Sequence, residues 1–181
     1  MSMYDSNLSP EPSIDYPLYQ SKKGNYFIGQ TPFLSGQTKQ ALAALVNPPH
    51  SNRNLYLNAM TITNPSSYDL SAEFYLDCTF DTNTVSDLVS CTNTSLCPLP
   101  IPIGEIQYLP VTTQPPAHGI SIFSRIVSPN STLVVDGGQI ILGPGKSILI
   151  YIGSFLPVAF DQIRFAFGWW EENRCNCPHC F

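Results

Sequence analysis

Apolar and polar residues alternate along much of the chain, and this pattern predicts short β-strands. In residues 54–63, the odd-numbered side chains from Leu55 to Thr61 are expected on one face, and the even-numbered ones from Tyr56 to Ile62 on the other. Residues 72–76 alternate in the same way. A period of two residues is typical of an antiparallel strand with one buried face.

The last predicted strand, residues 162–170, has the clearest pattern. One face is expected to present Ile163, Phe165, Phe167 and Trp169, and the other Arg164, Ala166, Gly168 and Trp170. Because adjacent strand residues point to opposite faces, one tryptophan is expected in the core and the other outside. An outward tryptophan is either a subunit contact or a half-buried aromatic residue, so Trp169 and Trp170 are the candidate subunit contacts.

Turn residues divide the rest of the chain into short segments. Residues 40–46 fit either a strand or a helical turn, and residues 79–104 have no regular pattern. Asp136-Gly137-Gly138 lies between two apolar runs and predicts a hairpin. Roughly eight strands, with turn signals about every 8 to 12 residues, predict an all-β fold. We expect a two-sheet antiparallel sandwich of the jelly-roll type.

Composition divides the chain into three parts. Residues 1–23 are polar, contain three prolines and are expected to form an extended N-terminal arm. Residues 24–172 have the size of one compact domain and make the β-sandwich. Residues 173–181 form a cysteine-rich C-terminal connector.

The charge content indicates what kind of partner the protein has. Charged residues make up 12% of the chain, about half the usual share, and the net charge is −5. Few surface charges protect poorly against association, which favours packing against copies of the same chain. Without a basic run, a nucleic-acid partner is not expected. No apolar run approaches the roughly 18 residues of a membrane span, and no secretory signal is recognisable.

The motifs that suggest catalysis or ligand binding are incomplete. Residues 143–147 (GPGKS) contain the end of a phosphate-binding loop, but position 140 is Ile where that motif requires glycine, so a turn is expected. His50, His118 and His179 lack a nucleophile in a known context. Asp77, Asp81 and Asp87 lack the spacing of a calcium loop. The sequence therefore predicts no enzyme activity, no catalytic residue and no cofactor.

The six cysteines form two sets: Cys78, Cys91 and Cys97 in the body, and Cys175, Cys177 and Cys180 in the tail. The tail has three interpretations. Its thiolates and His179 can bind a metal, with Cys91 or Cys97 completing the site; it can form disulfides with a neighbouring subunit; or its thiols stay free. From Trp170 to Cys180 an extended chain spans about 30 Å, which reaches a neighbour. Intersubunit disulfides are the preferred interpretation, and no resident metal is expected.

Several segments resemble an uncharacterised domain family of spore-forming Firmicutes. They are residues 26–31 (YFIGQT), 47–49 (NPP) with 54–58 (NLYLN), and 166–172 (AFGWWEE). The resemblance covers most of residues 24–172. It implies no activity, because none is assigned to that family.

The plan of a β-sandwich with a cysteine-bearing arm is also similar to that of bacterial endospore appendage subunits. Those are jelly-roll proteins that stack by strand pairing at sheet edges and are cross-linked by disulfides through a terminal arm. Their arm is N-terminal, whereas the cysteines here are C-terminal, so no residue is carried over. The similarity implies assembly in a mother cell and release on lysis, without a signal peptide.

We therefore expect a structural subunit of a self-assembling extracellular or spore-surface fibre. Its expected partners are copies of itself and other spore-surface proteins. The N-terminal arm is expected to dock in a neighbour as an extra strand, and the tail cysteines to lock that contact. The alternatives are a jelly-roll binding module (an adhesin or carbohydrate-binding tip), a zinc-stabilised enzyme or regulator, and a viral capsid or tail-fibre protein.

Overall fold

A computed structural model describes residues 14–36, 40–78, 84–109, 116, 118–154 and 160–174. Among these residues it contains one short helix and twelve strands. In chain order they are α1 (Tyr16–Lys22), β1 (Tyr26–Gln30), β2 (Leu34–Gly36), β3 (Gln40–Val46), β4 (Arg53–Asn64), β5 (Leu70–Leu76), β6 (Val89–Cys91), β7 (Glu105–Leu109), β8 (Ile120–Val127), β9 (Ser131–Asp136), β10 (Ile141–Leu142), β11 (Ser147–Ser154) and β12 (Phe160–Asn173).

The strands form two antiparallel sheets that pack as a sandwich and do not close into a barrel. The small sheet has the order β7-β3-β11-β5-β8. The large sheet has the order β10-β4-β12-β1-β6, with β2 also pairing with β12 and β9 with β4. From β3 to β5, and again from β10 to β12, the chain changes sheets at each connection, as in a jelly roll. The predicted fold class is confirmed.

Strand β12 lies in the middle of the large sheet, between β4 and β1. Its inward side chains Ile163, Phe165, Phe167 and Trp169 belong to the core between the sheets, as the alternation predicts. The outward side chains of the same strand therefore belong to the outer face of the large sheet. That face carries Trp170 at one end of β12.

Strand β4 departs from the predicted alternation at Asn58. This residue has no partner on β12, where the pairing steps from Gly168 to Trp169, and it forms a β-bulge. Before the bulge the odd-numbered side chains of β4 face the core, and beyond it the even-numbered ones do. Consequently Leu55 and Leu57 before the bulge share one core with Met60 and Ile62 after it, and the prediction of opposite faces for these pairs is wrong.

Strands β9 and β10 do not form the predicted hairpin. Both pair with β4, β9 along residues 59–64 and β10 along residues 55–56, so they run in the same direction. Between them, the N–H of Ile140 donates to the carbonyl of Gly137 at 2.8 Å and closes a turn. A Cβ on Gly137 would lie 2.5 Å from Cγ of Leu57. The glycine therefore permits a close approach to β4, and the chain does not reverse.

Residues 40–46, which fit a strand or a helical turn by sequence, form β3. Its side chains alternate between two apolar clusters: Ala41, Ala43 and Leu45 lie in the main core, and Leu42 and Ala44 in a second cluster with Leu149 and Tyr151. A strand buried on both faces has a continuous apolar run instead of an alternating one. This is why periodicity did not distinguish the two alternatives.

The predicted extended arm, residues 1–23, is wrong for its last part, which forms α1. Pro17 lies in the first turn, where the helix tolerates proline. A helix this short depends on tertiary contacts. Tyr16 Oη and Gln20 Nε2 each donate to Glu172 at 2.6 Å, which holds α1 against the large sheet. Residues 1–13 lie outside the described residues.

Candidate functional site

The tail cysteines Cys175, Cys177 and Cys180, together with His179, lie outside the described residues. The described chain ends at Arg174, whose N–H donates to the carbonyl of Asn52 at 3.1 Å. This bond shows where the tail leaves the sandwich, beside the start of β4.

The three body cysteines differ sharply in exposure. Cys78 and Cys91 are buried, at 6% and 1% exposure, whereas Cys97 is exposed. The Sγ of Cys78 donates to the carbonyl of His118 at 2.7 Å, and burial raises the pKa of this thiol. All three are free thiols in the structure. Of the described cysteines, Cys97 alone offers its sulfur to another molecule.

Trp169 and Trp170 point to opposite faces of β12, as predicted. Trp169 is fully buried in the core, whereas Trp170 faces outward and is still only 9% exposed. The ring of Trp170 stacks on Tyr56 at 5.3 Å and on Tyr26 at 6.4 Å between centroids, and Tyr16 contacts it edge-on at 5.7 Å. Both ring faces are therefore covered by the chain's own tyrosines, which leaves little area for another subunit or a sugar ring.

A buried carboxylate, Glu171, was missed by the sequence analysis. It accepts hydrogen bonds from the backbone N–H groups of Ile103 (2.9 Å) and Gly104 (2.8 Å) and from Nε1 of Trp169 (3.1 Å). Arg53 Nη1 lies 3.5 Å from its other oxygen. The β12 alternation offered a signal, because it places residue 171 on the core side with residue 169. Glu171 thus fastens the end of the loop that carries Cys97.

The two edges of the small sheet are unequal. At one edge, residues 84–86 cover β7 through a Val85–Gln107 bridge and an N–H bond from Ser86 to Ile106 at 2.8 Å. At the other edge, β8 pairs with β5 alone among the described strands. Ile120 and Ile126 of β8 are 64% and 62% exposed. Within the described ranges, β8 is therefore a long, apolar edge that no second strand covers.

Arg125 is the only charged residue of β8. Its guanidinium lies 4.7 Å from the ring centroid of Phe123, and its Nη1 donates to the carbonyl of Ser124 at 2.8 Å. A charged side chain on an edge strand, bonded to that strand's own backbone, opposes pairing with another chain. Arg125 is therefore a feature that disfavours pairing of this edge with another strand.

The weaker sequence motifs lie in separate places. Residues 143–147 form the expected turn, in which Lys146 N–H donates to Gly143 at 3.0 Å, and a strand follows it. Lys146 Nζ pairs with Asp77 at 2.8 Å. Asp81 lies outside the described residues. Within the described ranges, no group of three or more His, Cys, Asp or Glu residues is arranged to hold a metal ion.

Comparisons with known proteins give one match. A family model, described as "Family of unknown function (DUF6143)", matches residues 3–176. No curated protein and no solved structure matches the chain. In the part of the chain that the structure describes, no helix is long and apolar enough to cross a membrane.

Proposed function

Because the chain belongs to this family of unknown function, we propose its role from its own surface. We propose that it is a structural subunit of a self-assembling extracellular or spore-surface fibre, joined by β-strand edge pairing and cross-linked by intersubunit disulfides. Its partners are copies of itself, with other spore-surface proteins as further partners. The resemblance of residues 26–31 and 166–172 to a domain family of spore-forming Firmicutes supports the spore-surface location.

The edge of β8, which lacks a second partner among the described strands, is the observation that carries this proposal. It extends over eight residues, and four of them are isoleucine or valine. Unpaired backbone groups on such an edge form a template for a strand from another chain. Pairing there would also bury the exposed side chains of Ile120 and Ile126.

The direction of the strands determines what kind of contact this edge can make. The small sheet is antiparallel throughout, and residues 84–86 cover its opposite edge at β7. A β8 edge that meets the β8 edge of a second copy across a twofold axis continues the antiparallel pattern. Such a contact closes after two subunits, so a fibre needs a second connection between pairs.

We assign the second connection to the cysteines. Cys97 is exposed, and the tail continues from Arg174 through Cys175, Cys177 and Cys180. Six extended residues beyond Arg174 reach about 20 Å, far enough to meet Cys97 of a neighbouring subunit. A covalent link would then prevent dissociation of pairs that edge pairing alone holds reversibly.

A denaturing gel with and without reductant tests the proposal. We expect a ladder, or material too large to enter the gel, that collapses to 20.0 kDa with reductant. Mass mapping of the bridges should then find the tail cysteines joined to Cys97. A single 20.0 kDa band in both lanes, from protein purified under oxidising conditions, would overturn the cross-linked fibre.

A further inference from the structure

Strand β9 is a second exposed edge, and it belongs to the large sheet. Its six residues pair with β4 in one unbroken register, and β4 is its one partner among the described strands. The side chain of Val134, near the middle of β9, is 61% exposed. Edge strands that avoid pairing carry lysine, proline or a bulge, and β9 contains none of these. It therefore has the features of an edge that accepts a further strand.

Strands β8 and β9 lie on the same side of the sandwich. Residues 128–130 connect them, and β8 contacts both β9 and β4 of the large sheet. The buried side chain of Asn64, at the end of β4, fixes this corner, because its Nδ2 donates to the carbonyls of Val127 and Ser128, each at 3.1 Å. The small sheet ends here in β8 next to β5, and the large sheet in β9 next to β4. The two edges therefore border one surface.

The two sides of the sandwich differ in how well they cover the core. On the side of β7, Ser86 links the sheets, because its N–H donates to the carbonyl of Ile106 at 2.8 Å and its Oγ to that of Gln30 at 2.6 Å. On the side of β8 and β9, Phe123 and Val135 pack against the core but are only partly buried. A partner that covers this side would complete their burial.

We propose that β8 and β9 pair at the same time with β8 and β9 of one second copy of this chain. A twofold axis perpendicular to the sheets brings β8 beside β8 of that copy in the antiparallel direction. Rotation about this axis keeps each sheet in its own layer, so β9 meets β9 of the same copy. Both sheets then continue across one interface. This inference rests on the edge pairing proposed above and adds β9 as a second pairing strand.

The size of the contact favours pairing at both edges. The eight residues of β8 extend about 27 Å, and one sheet is about 10 Å thick, so β8 alone buries about 500 Å² over both copies. Including the six residues of β9 raises this area to about 900 Å². Specific interfaces bury at least about 1,000 Å². The contact approaches that size only when both strands take part.

The strand β8 by itself is an irregular template. Ile122 has no partner on β5, where the pairing steps from Phe123 to Ser121, and it forms a bulge. A bulge and a charge such as Arg125 both weaken an edge as a pairing surface. Strand β9 supplies a regular ladder, and its one charged residue, Asp136, leaves the two strands together without net charge.

Hydrogen exchange of the full chain tests the proposal, in reductant so that disulfides do not contribute. Light scattering identifies a dilute monomer and a concentrated associated state, and deuterium uptake of the two is compared peptide by peptide. We expect association to slow uptake in residues 120–127 and also in residues 131–136. Uptake in residues 105–109, on the opposite side, should stay the same.

The pattern of protection separates this inference from the proposed function. Protection of residues 120–127 alone would overturn the inference and leave the β8 contact standing. Protection of residues 131–136 alone would overturn the shared interface. Protection of neither segment, or a chain that stays monomeric at every concentration, would overturn both proposals.

A lysine on β9 gives a second measurement. The twofold axis places Val134 close to Val134 of the second copy, where two lysines repel, so Val134→Lys should lower the association constant at least about tenfold. The matched control is Val85→Lys, because Val85 is 47% exposed and lies on the opposite side, beside β7. Light scattering in reductant measures both. Equal association constants for the two variants would contradict a role for β9.

A mixture of Val134→Lys and Val134→Glu chains tests the twofold arrangement itself. Each variant alone should associate weakly, whereas opposite charges at position 134 attract each other in a mixed pair. Association of the mixture should therefore recover towards that of the parent chain. A mixture that associates no more strongly than either variant alone would overturn the pairing of β9 with β9.

Discussion

The indole N–H of Trp169 donates a hydrogen bond to the carboxylate of Glu171 at 3.1 Å, and both side chains are fully buried. The same carboxylate receives the N–H groups of Ile103 and Gly104, which belong to the loop after Cys97. One acidic residue at the end of β12 therefore joins the central strand, the core and the loop that presents the exposed thiol.

Removing this carboxylate should destabilise the protein strongly. Glu171→Ala leaves three donors without their acceptor and Arg53 without its partner, so we expect a loss of about 3–5 kcal/mol in the free energy of unfolding. Urea denaturation measures the loss. Glu105→Ala is the control, because that carboxylate is partly exposed and, among the described residues, accepts a hydrogen bond from Gln107 alone. Similar losses for both variants would show that Glu171 does not organise the loop.

Tyr75 should make stability depend on pH in the alkaline range. Its hydroxyl donates to Glu73, and this hydrogen bond, followed by burial, raises the pKa of Tyr75 from 10.0 to about 12. The neutral phenol is thus favoured in the folded state. Its contribution is fully present below pH 10, the unfolded value, and is lost as the pH rises through about 12.

Comparison with Tyr75→Phe isolates this contribution. The stability difference between the parent chain and the variant should be constant up to about pH 10 and shrink towards pH 12. Urea denaturation at a series of pH values measures it, with Tyr68→Phe as a control on an exposed tyrosine. A difference that stays constant between pH 10 and pH 12 would show that Tyr75 ionises alike in both states.

A charge on the open edge of the small sheet should weaken association. Ile126→Lys places a second cation on β8, and we expect at least about a tenfold weaker association constant. Because Ile126 is 62% exposed, folding should change little. Light scattering in reductant measures association without disulfides. The matched control is Ile141→Lys on the large sheet, at 56% exposure, which should leave association unchanged.

The complementary change at Arg125 should act in the opposite direction. Arg125→Thr removes the charge and the side chain that bonds the Ser124 carbonyl, so association should increase. Equal effects of the β8 and β10 lysine variants, or no effect of Arg125→Thr, would contradict pairing through β8.

Cross-linking should depend on Cys97 and not on the buried body cysteines. Cys97→Ser should abolish the reducible ladder, because Cys97 alone among the described cysteines is exposed. Cys91→Ser should keep the ladder, since the Cys91 sulfur is buried and contacts the carbonyl of Gly24 at 3.7 Å. A ladder that persists in Cys97→Ser would move the link to contacts among the tail cysteines themselves.

The alternation of apolar and polar residues along the chain was sufficient to predict which side chains of a regular strand face the core. The faces of β12 follow from alternation, because successive strand side chains must point to opposite sides. The same rule failed for β4, where the bulge at Asn58 depends on pairing with β12. The hairpin predicted from the turn signal at Asp136-Gly137-Gly138 was also wrong, because Gly137 permits a close approach to Leu57 and the chain does not reverse there.

The sequence by itself determined the fold class, the two orientations of Trp169 and Trp170, and the presence of a cysteine-rich tail. These depend on residue type and on a spacing of two residues, which are local properties. Only the tertiary structure decided that Cys97 is exposed while Cys91 is buried, that β8 is an edge of the small sheet with β5 as its one partner among the described strands, and that Glu171 fastens a distant loop. Burial and edge position depend on which strands become neighbours, and contacts between residues far apart in the chain determine that.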